Sequence, residues 1–129
     1  MSDIPGFNEE PHMRLVVAGS RGVTDIRVVA QAIMESGYSQ MITEIVCGCA
    51  RGVDKLGEQL AIKMGIPVKH FPANWDQYGR AAGPIRNEAM GHYCDAAVIV
   101  RKDGVSSKGS TSMLRVMKTL NKPVHLKEV

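Results

Sequence analysis

Aromatic residues are scarce: one Trp, three Tyr and two Phe among 129 positions. A core made without them must rest on aliphatic side chains, which suits a sheet of Val, Ile and Leu strands covered by helices. The three cysteines are an odd number in a mid-sized chain. They indicate no disulfide framework, and a reducing, cytoplasmic setting is expected. No apolar run approaches the ~20 residues of a membrane span, so no membrane partner is read. The N-terminus has no basic region followed by a hydrophobic stretch, and nothing suggests a secretory leader. No second histidine stands at metal-ligand spacing from His70, so His70 is read as structural and no metal site is expected.

Charge is present but uneven. The formal net charge is +3, yet the first thirteen residues hold Asp3, Glu9 and Glu10 and no Lys or Arg. Setting those three aside leaves sixteen basic against ten acidic residues, a formal +6. Such a balance favours anionic partners, although solubility alone would also explain it.

Residues 1–13, with Pro, Gly and polar residues and no periodicity, read as a flexible tail, and residues 14–129 as one domain. LVVAGS is an apolar run ending in Gly-Ser, as a buried parallel strand does. Thr24 or Asp25 can cap a helix whose Ile26, Val29, Ala30, Ile33 and Met34 share a face, and Gly37 stops it. The unit then repeats. EIVCG is a second strand, followed by Val53, Leu56, Leu60, Ala61 and Met64 at helical spacing up to Gly65. IPVKHF is a third strand, and the loop PANWDQYGRAA leads to a helix with Pro84 in its first turn. DAAVIV is a fourth strand, RKDGVSSKG a loop, and Met113, Leu114, Met117 and Leu120 mark a last helix. PVHLKE closes the series. The pattern predicts an α/β fold with five mostly parallel strands in the order 3-2-1-4-5, covered by helices on both faces.

The uncommon residues collect at one edge. GSRGVTD, GCARGVD, FPANWDQYGR and GVSSKGSTS each follow a strand, where open α/β sheets bind ligands. Glycines allow close backbone approach, helix N-termini offer free N–H groups, and arginines add bidentate anion contacts. Arg21, Arg51, Arg80 and Arg86 converging there would make an anion-binding cleft, with phosphate the natural guest. Gly19, Gly22, Gly48 and Gly52 have a plainer role as chain-turning residues, and a loop arginine is often only a solvated charge. None of the loops is a Walker A sequence, and GxGxxG is absent after strand one.

Taken in order, GSRGVTD, CGCARGVD, FPANWDQYGRAAGPIRNEAM and KGSTSM resemble the SLOG superfamily of Rossmann-like domains, most closely its YspA/YpsA-related branch of bacteria and phages. The resemblance spans roughly residues 14 to 127 and implies a three-layer α/β/α Rossmann-like sandwich that binds nucleotides or nucleotide-derived ligands. GSR, ARGVD and RNEAM are also similar to the core of DNA-processing protein A, which implies single-stranded DNA as an alternative partner. LOG-type phosphoribohydrolases are similar in a glycine-threonine turn and an arginine on the preceding helix, matched by Gly109, Thr111 and Arg86. Those enzymes place a catalytic glutamate two to three residues after the threonine. Met113 and Leu114 stand there, which counts against that hydrolysis.

Other carboxylates are open to catalysis: Asp54, Asp76 and Glu88. Asp54 either stabilises the start of its helix or bonds a ribose hydroxyl. Glu88 either pairs with an arginine or faces solvent, and Asp76 lies beside Trp75 and Tyr78. These two aromatics either stack on a base or close a sheet edge or subunit interface. Cys47, Cys49 and Cys94 read as packing residues. The expected cleft has Gly19, Ser20 and Arg21 on one wall and Gly48, Arg51 and Asp54 on the next. The amides of Gly109, Ser110 and Thr111 hold a phosphate with Arg86, and Asn87 reads ribose or base. Trp75, Tyr78 and Arg80 lie over it. The expected role is sensing or sequestering a small nucleotide, with hydrolysis of its glycosidic or phosphate bond as the alternative. No cofactor is required, and a homodimer or larger homo-oligomer is expected.

Overall fold

The computed structural model describes residues 12–48, 52–102 and 108–129; most of the expected tail, Arg51 and much of the loop after the fourth strand lie outside them. Five strands, β1 (Arg14–Gly19), β2 (Glu44–Cys47), β3 (Val68–His70), β4 (Ala96–Arg101) and β5 (Val124–Glu128), alternate with helices. The helices are α1 (Ile26–Ser36), α2 (Val53–Met64), the single turn α3 (Trp75–Tyr78), α4 (Ala82–Tyr93) and α5 (Lys108–Thr119). The sheet order is β3-β2-β1-β4-β5, and every pairing is parallel. This is the expected Rossmann-like arrangement, with the switch point between β1 and β4.

The central strands are hydrophobic without alternation because both of their faces are covered. Leu15, Val17, Ile45, Val98 and Val100 join Val29, Ile33, Val53 and Ala61 in a core under α1 and α2. Val16, Val46, Ala97 and Ile99 join Met90, Met113 and Met117 under α4 and α5. Truncating a fully buried Leu15 or Ile99 to Ala would cost about 2–5 kcal/mol, the transfer loss plus the cavity. Met13 belongs to this core rather than to the tail: it is buried, and its carbonyl accepts the amide of Thr43 at 2.8 Å.

Asp25 caps α1, its carboxylate accepting the Arg27 amide, and Gly37 ends the helix in the left-handed conformation. The buried stripe of α1 is Val29, Ala32 and Ile33. Met34, expected on that stripe, is 71 % exposed, as Met64 on α2 is 53 % exposed. Both sit at the margin of the apolar arc, where the helix surface turns away from the sheet. Residues 75–81, read as loop, form α3 and a 3-10 turn that runs directly into α4. Asn74 starts that turn by accepting the Gln77 amide at 3.1 Å, a local cap no apolar periodicity announces.

The amino ends of the strands are closed by paired polar groups. The Arg14 amide and guanidinium both donate to Asp95, at 2.8 and 3.4 Å. That guanidinium lies 4.7 Å from the centre of the Tyr93 ring, and the Tyr93 hydroxyl donates to Glu44. Burial pushes the Asp95 carboxyl up, but the bonds from Arg14 more than reverse this and hold it below its ordinary value. The Glu44 contact, chiefly, raises the Tyr93 phenol. Among the described residues no helix is long and apolar enough to cross a membrane.

Candidate functional site

At the carboxyl edge the loops after β1 and β2 lie backbone against backbone. A Cβ on Gly19 would fall 2.0 Å from the Val100 carbonyl oxygen, so no larger residue fits. Gly52 has φ of 74°, and a Cβ there would meet the Ser20 carbonyl at 2.4 Å and the Arg21 Cα at 2.5 Å. Ser20 fastens this seam. Its amide donates to Val100 at 3.0 Å, and its hydroxyl accepts the Lys102 amide at 3.1 Å. The expected ligand contact is therefore a buried bracket between the ends of β1 and β4, with Arg21 exposed beside it. Asp54 is buried in the first turn of α2, the position where a carboxylate offsets the positive helix end.

Arg86 reaches from α4 to the ends of β2 and β3. The β2–β3 ladder finishes where the Phe71 amide donates to Cys47, leaving the next carbonyls without strand partners. Arg86 Nη1 donates to the carbonyls of Gly48 and, at 3.4 Å, Phe71. A Cβ on Gly48 would lie 2.5 Å from that nitrogen, so glycine is what admits the guanidinium. Arg86 Nε donates to Asn87 Oδ1 at 2.8 Å, and Asn87 Nδ2 donates to Ser112 Oγ on α5 at 3.2 Å. Asn87 is 4 % exposed with both ends of its amide engaged. It orients Arg86 and ties α4 to α5.

The Nη2 donors of Arg86 make no hydrogen bond within the described residues. Gly109, Ser110 and Thr111 occupy the first turn of α5, where amide N–H groups lack helical partners. Ser110 is buried, and the buried Thr111 Oγ1 makes no hydrogen bond among the described residues. Trp75 and Tyr78 project from α3, 57 % and 43 % exposed, with the Trp75 ring against Gly83 at the start of α4. Arg80, Asp76 and Glu88 are exposed. Of the three candidate carboxylates, only Asp54 is buried in the fold.

One cluster escaped the sequence reading. The side-chain ligand atoms of Cys47, Glu58 and His70 all lie within 4.8 Å of one another. Cys47 and His70 are register partners on β2 and β3, which puts them on one face, and Glu58 descends from α2. The signal was available only as two strand-terminal residues of adjacent parallel strands. Cys94, by contrast, is buried on the opposite face beside Met117, and burial pushes its thiol up to about 11. It stays neutral.

A family model described as the YspA, cpYpsA-related SLOG family matches residues 13–78. The chain belongs to that family. The SLOG match runs from β1 through α3 and so takes in the Ser20–Gly52 seam, Gly48 and Trp75, while Arg86 and α5 lie beyond it. Among solved structures the SLOG chain is similar to DNA processing protein A from Streptococcus pneumoniae, with a TM-score of 0.52 and 15% identity. The likeness covers 89% of this chain but only 59% of the other, and it carries the fold alone. No curated protein matches the sequence.

Proposed function

We propose that this SLOG domain binds a nucleotide or nucleotide-derived phosphorylated ligand at the carboxyl edge of its sheet, as a sensing or sequestering module. Membership of the family supports a nucleotide-related module in general. The observation that carries the finer reading is Arg86: its guanidinium is fixed by strand-end carbonyls, with no Nη2 bond among the described residues. A charge held in place before binding loses little side-chain entropy on meeting a phosphate, and Nη2 would supply a charge-assisted bond. The first-turn amides of α5 and the Thr111 hydroxyl would complete the phosphate contact, at the positive end of that helix. Trp75 or Tyr78 would stack on the base.

Calorimetric titration with nucleoside monophosphates and ADP-ribose tests the reading. Arg86→Ala should weaken binding at least tenfold, about 1.4 kcal/mol. Because Arg86 also satisfies two carbonyls, Thr111→Val serves as a second variant that leaves the strand ends intact. Its expected loss is about threefold, roughly 0.6 kcal/mol. Unchanged affinity in both variants would remove the assignment. Release of free base during the titration would make the domain a hydrolase. A salt-dependent shift with a single-stranded oligonucleotide, and none with nucleotides, would replace the small ligand by nucleic acid.

A further inference from the structure

We propose that Cys47, Glu58 and His70 form a binding site for one zinc-class divalent ion, on the α2 side of the carboxyl ends of β2 and β3. The inference is independent of the nucleotide reading. Its starting point is the parallel register: Cys47 pairs with His70, so both side chains stand on the face that α2 covers, and α2 brings Glu58 to the same point. His70 Nε2 and Glu58 Oε2 are already 3.0 Å apart, and the Cys47 sulfur is within 4.8 Å of both. A surface ion pair accounts for two of these groups. A thiolate added to that imidazole and carboxylate completes a zinc donor set.

The geometry is close to what the ion needs. Zinc bonds of about 2.0–2.3 Å in a tetrahedron place neighbouring ligand atoms about 3.3–3.8 Å apart. Cys47 is fully buried and gives a fixed sulfur, while the His70 and Glu58 side chains are 45% and 27% exposed and can adjust. An ion would enter from their side. Sulfur and imidazole nitrogen select zinc-like ions over magnesium or calcium, which take oxygen ligands. On binding, the thiol releases its proton to solvent, His70 coordinates as the neutral imidazole, and Glu58 coordinates as the carboxylate. Three protein ligands leave the fourth tetrahedral position for water or an added donor.

The full chain, freed of metal with a chelator, is titrated with zinc against a chromophoric competitor and separately with cobalt(II). One equivalent of zinc should bind, and cobalt should show tetrahedral visible bands with a thiolate-to-cobalt charge-transfer band. His70→Ala, a change at a partly exposed side chain, should weaken zinc at least tenfold, and Glu58→Gln should weaken it by a smaller factor. Cys47→Ser should abolish the charge-transfer band, and Cys49→Ser should keep it. The proposal falls if folded protein binds less than one equivalent. It also falls if His70→Ala binds zinc as tightly as the parent, or if the band follows Cys49 rather than Cys47.

Discussion

The two ends of the sheet are built from the same five strands yet solve opposite problems. At the amino end Arg14, Glu44, Tyr93 and Asp95 satisfy one another across β1, β2 and β4. At the carboxyl end Gly19, Gly48 and Gly52 bring main chain against main chain or guanidinium, and Arg86 keeps donors in reserve. Parallel topology imposes the asymmetry. Each crossover helix begins near the carboxyl edge and ends near the amino edge, so the positive helix ends and their unpaired N–H groups gather on one side. One end is closed by paired side chains, and the other gathers the positive helix ends.

The contrast can be broken most forcefully at Gly52. Gly52→Ala adds a Cβ where φ is positive and the Ser20 backbone is in the way. It should cost about 3 kcal/mol or more in urea unfolding. A loss under about 1 kcal/mol would mean that the two loops are not locked together as described. Next in size is Asn87→Ala, which leaves Arg86 Nε and Ser112 Oγ short of a partner. It should cost about 1–3 kcal/mol and weaken nucleotide binding as well, because Arg86 loses its orienting bond. Full affinity in a folded Asn87→Ala protein would show that Arg86 is positioned without it.

The smallest effect belongs to the amino end. Asp95→Asn should cost under about 1 kcal/mol at neutral pH, since both side chains of the Arg14–Asp95 pair are about a third exposed and solvent screens them. The folded carboxyl titrates below its unfolded value. Its contribution is therefore complete above the unfolded pKa of about 3.9 and disappears as pH falls through the lower folded value. Parent and variant should converge in stability in acid, with nucleotide affinity unaffected throughout. A gap that persists below that window would assign the effect to packing rather than to charge.

Much of the fold was legible because it rests on local rules. Strand runs such as LVVAG and AAVIV are apolar throughout, Gly37 and Gly65 mark helix ends, and the alternation of elements dictates parallel pairing. The misses share a cause. Met34 and Met64 satisfy helical spacing at the border of the buried arc, and spacing alone does not say where that border falls. The turn at Trp75–Tyr78 is held by one Asn74 side chain, not by apolar period. At the site, the glycines were found but their reasons were not: Gly48 admits Arg86, while Gly52 admits the Ser20 backbone. Asn87 and Ser20 were identified as polar residues in the right place, but only tertiary contacts reveal that they are brackets. The meeting of Cys47 with His70 depends on strand register, which a single sequence does not display.

The order β3-β2-β1-β4-β5 also sets a timetable. No two neighbouring strands are joined by a hairpin, so each pairing must wait until an intervening helix has been made. Such non-local closure slows folding. During synthesis β1, β2 and β3 emerge first and can assemble with α1 and α2 as half a sheet. The far side of β1 stays bare until β4 arrives some eighty residues after it. For that interval a hydrophobic central strand of the protein is an open edge, the period in which a nascent chain is most exposed to misassociation.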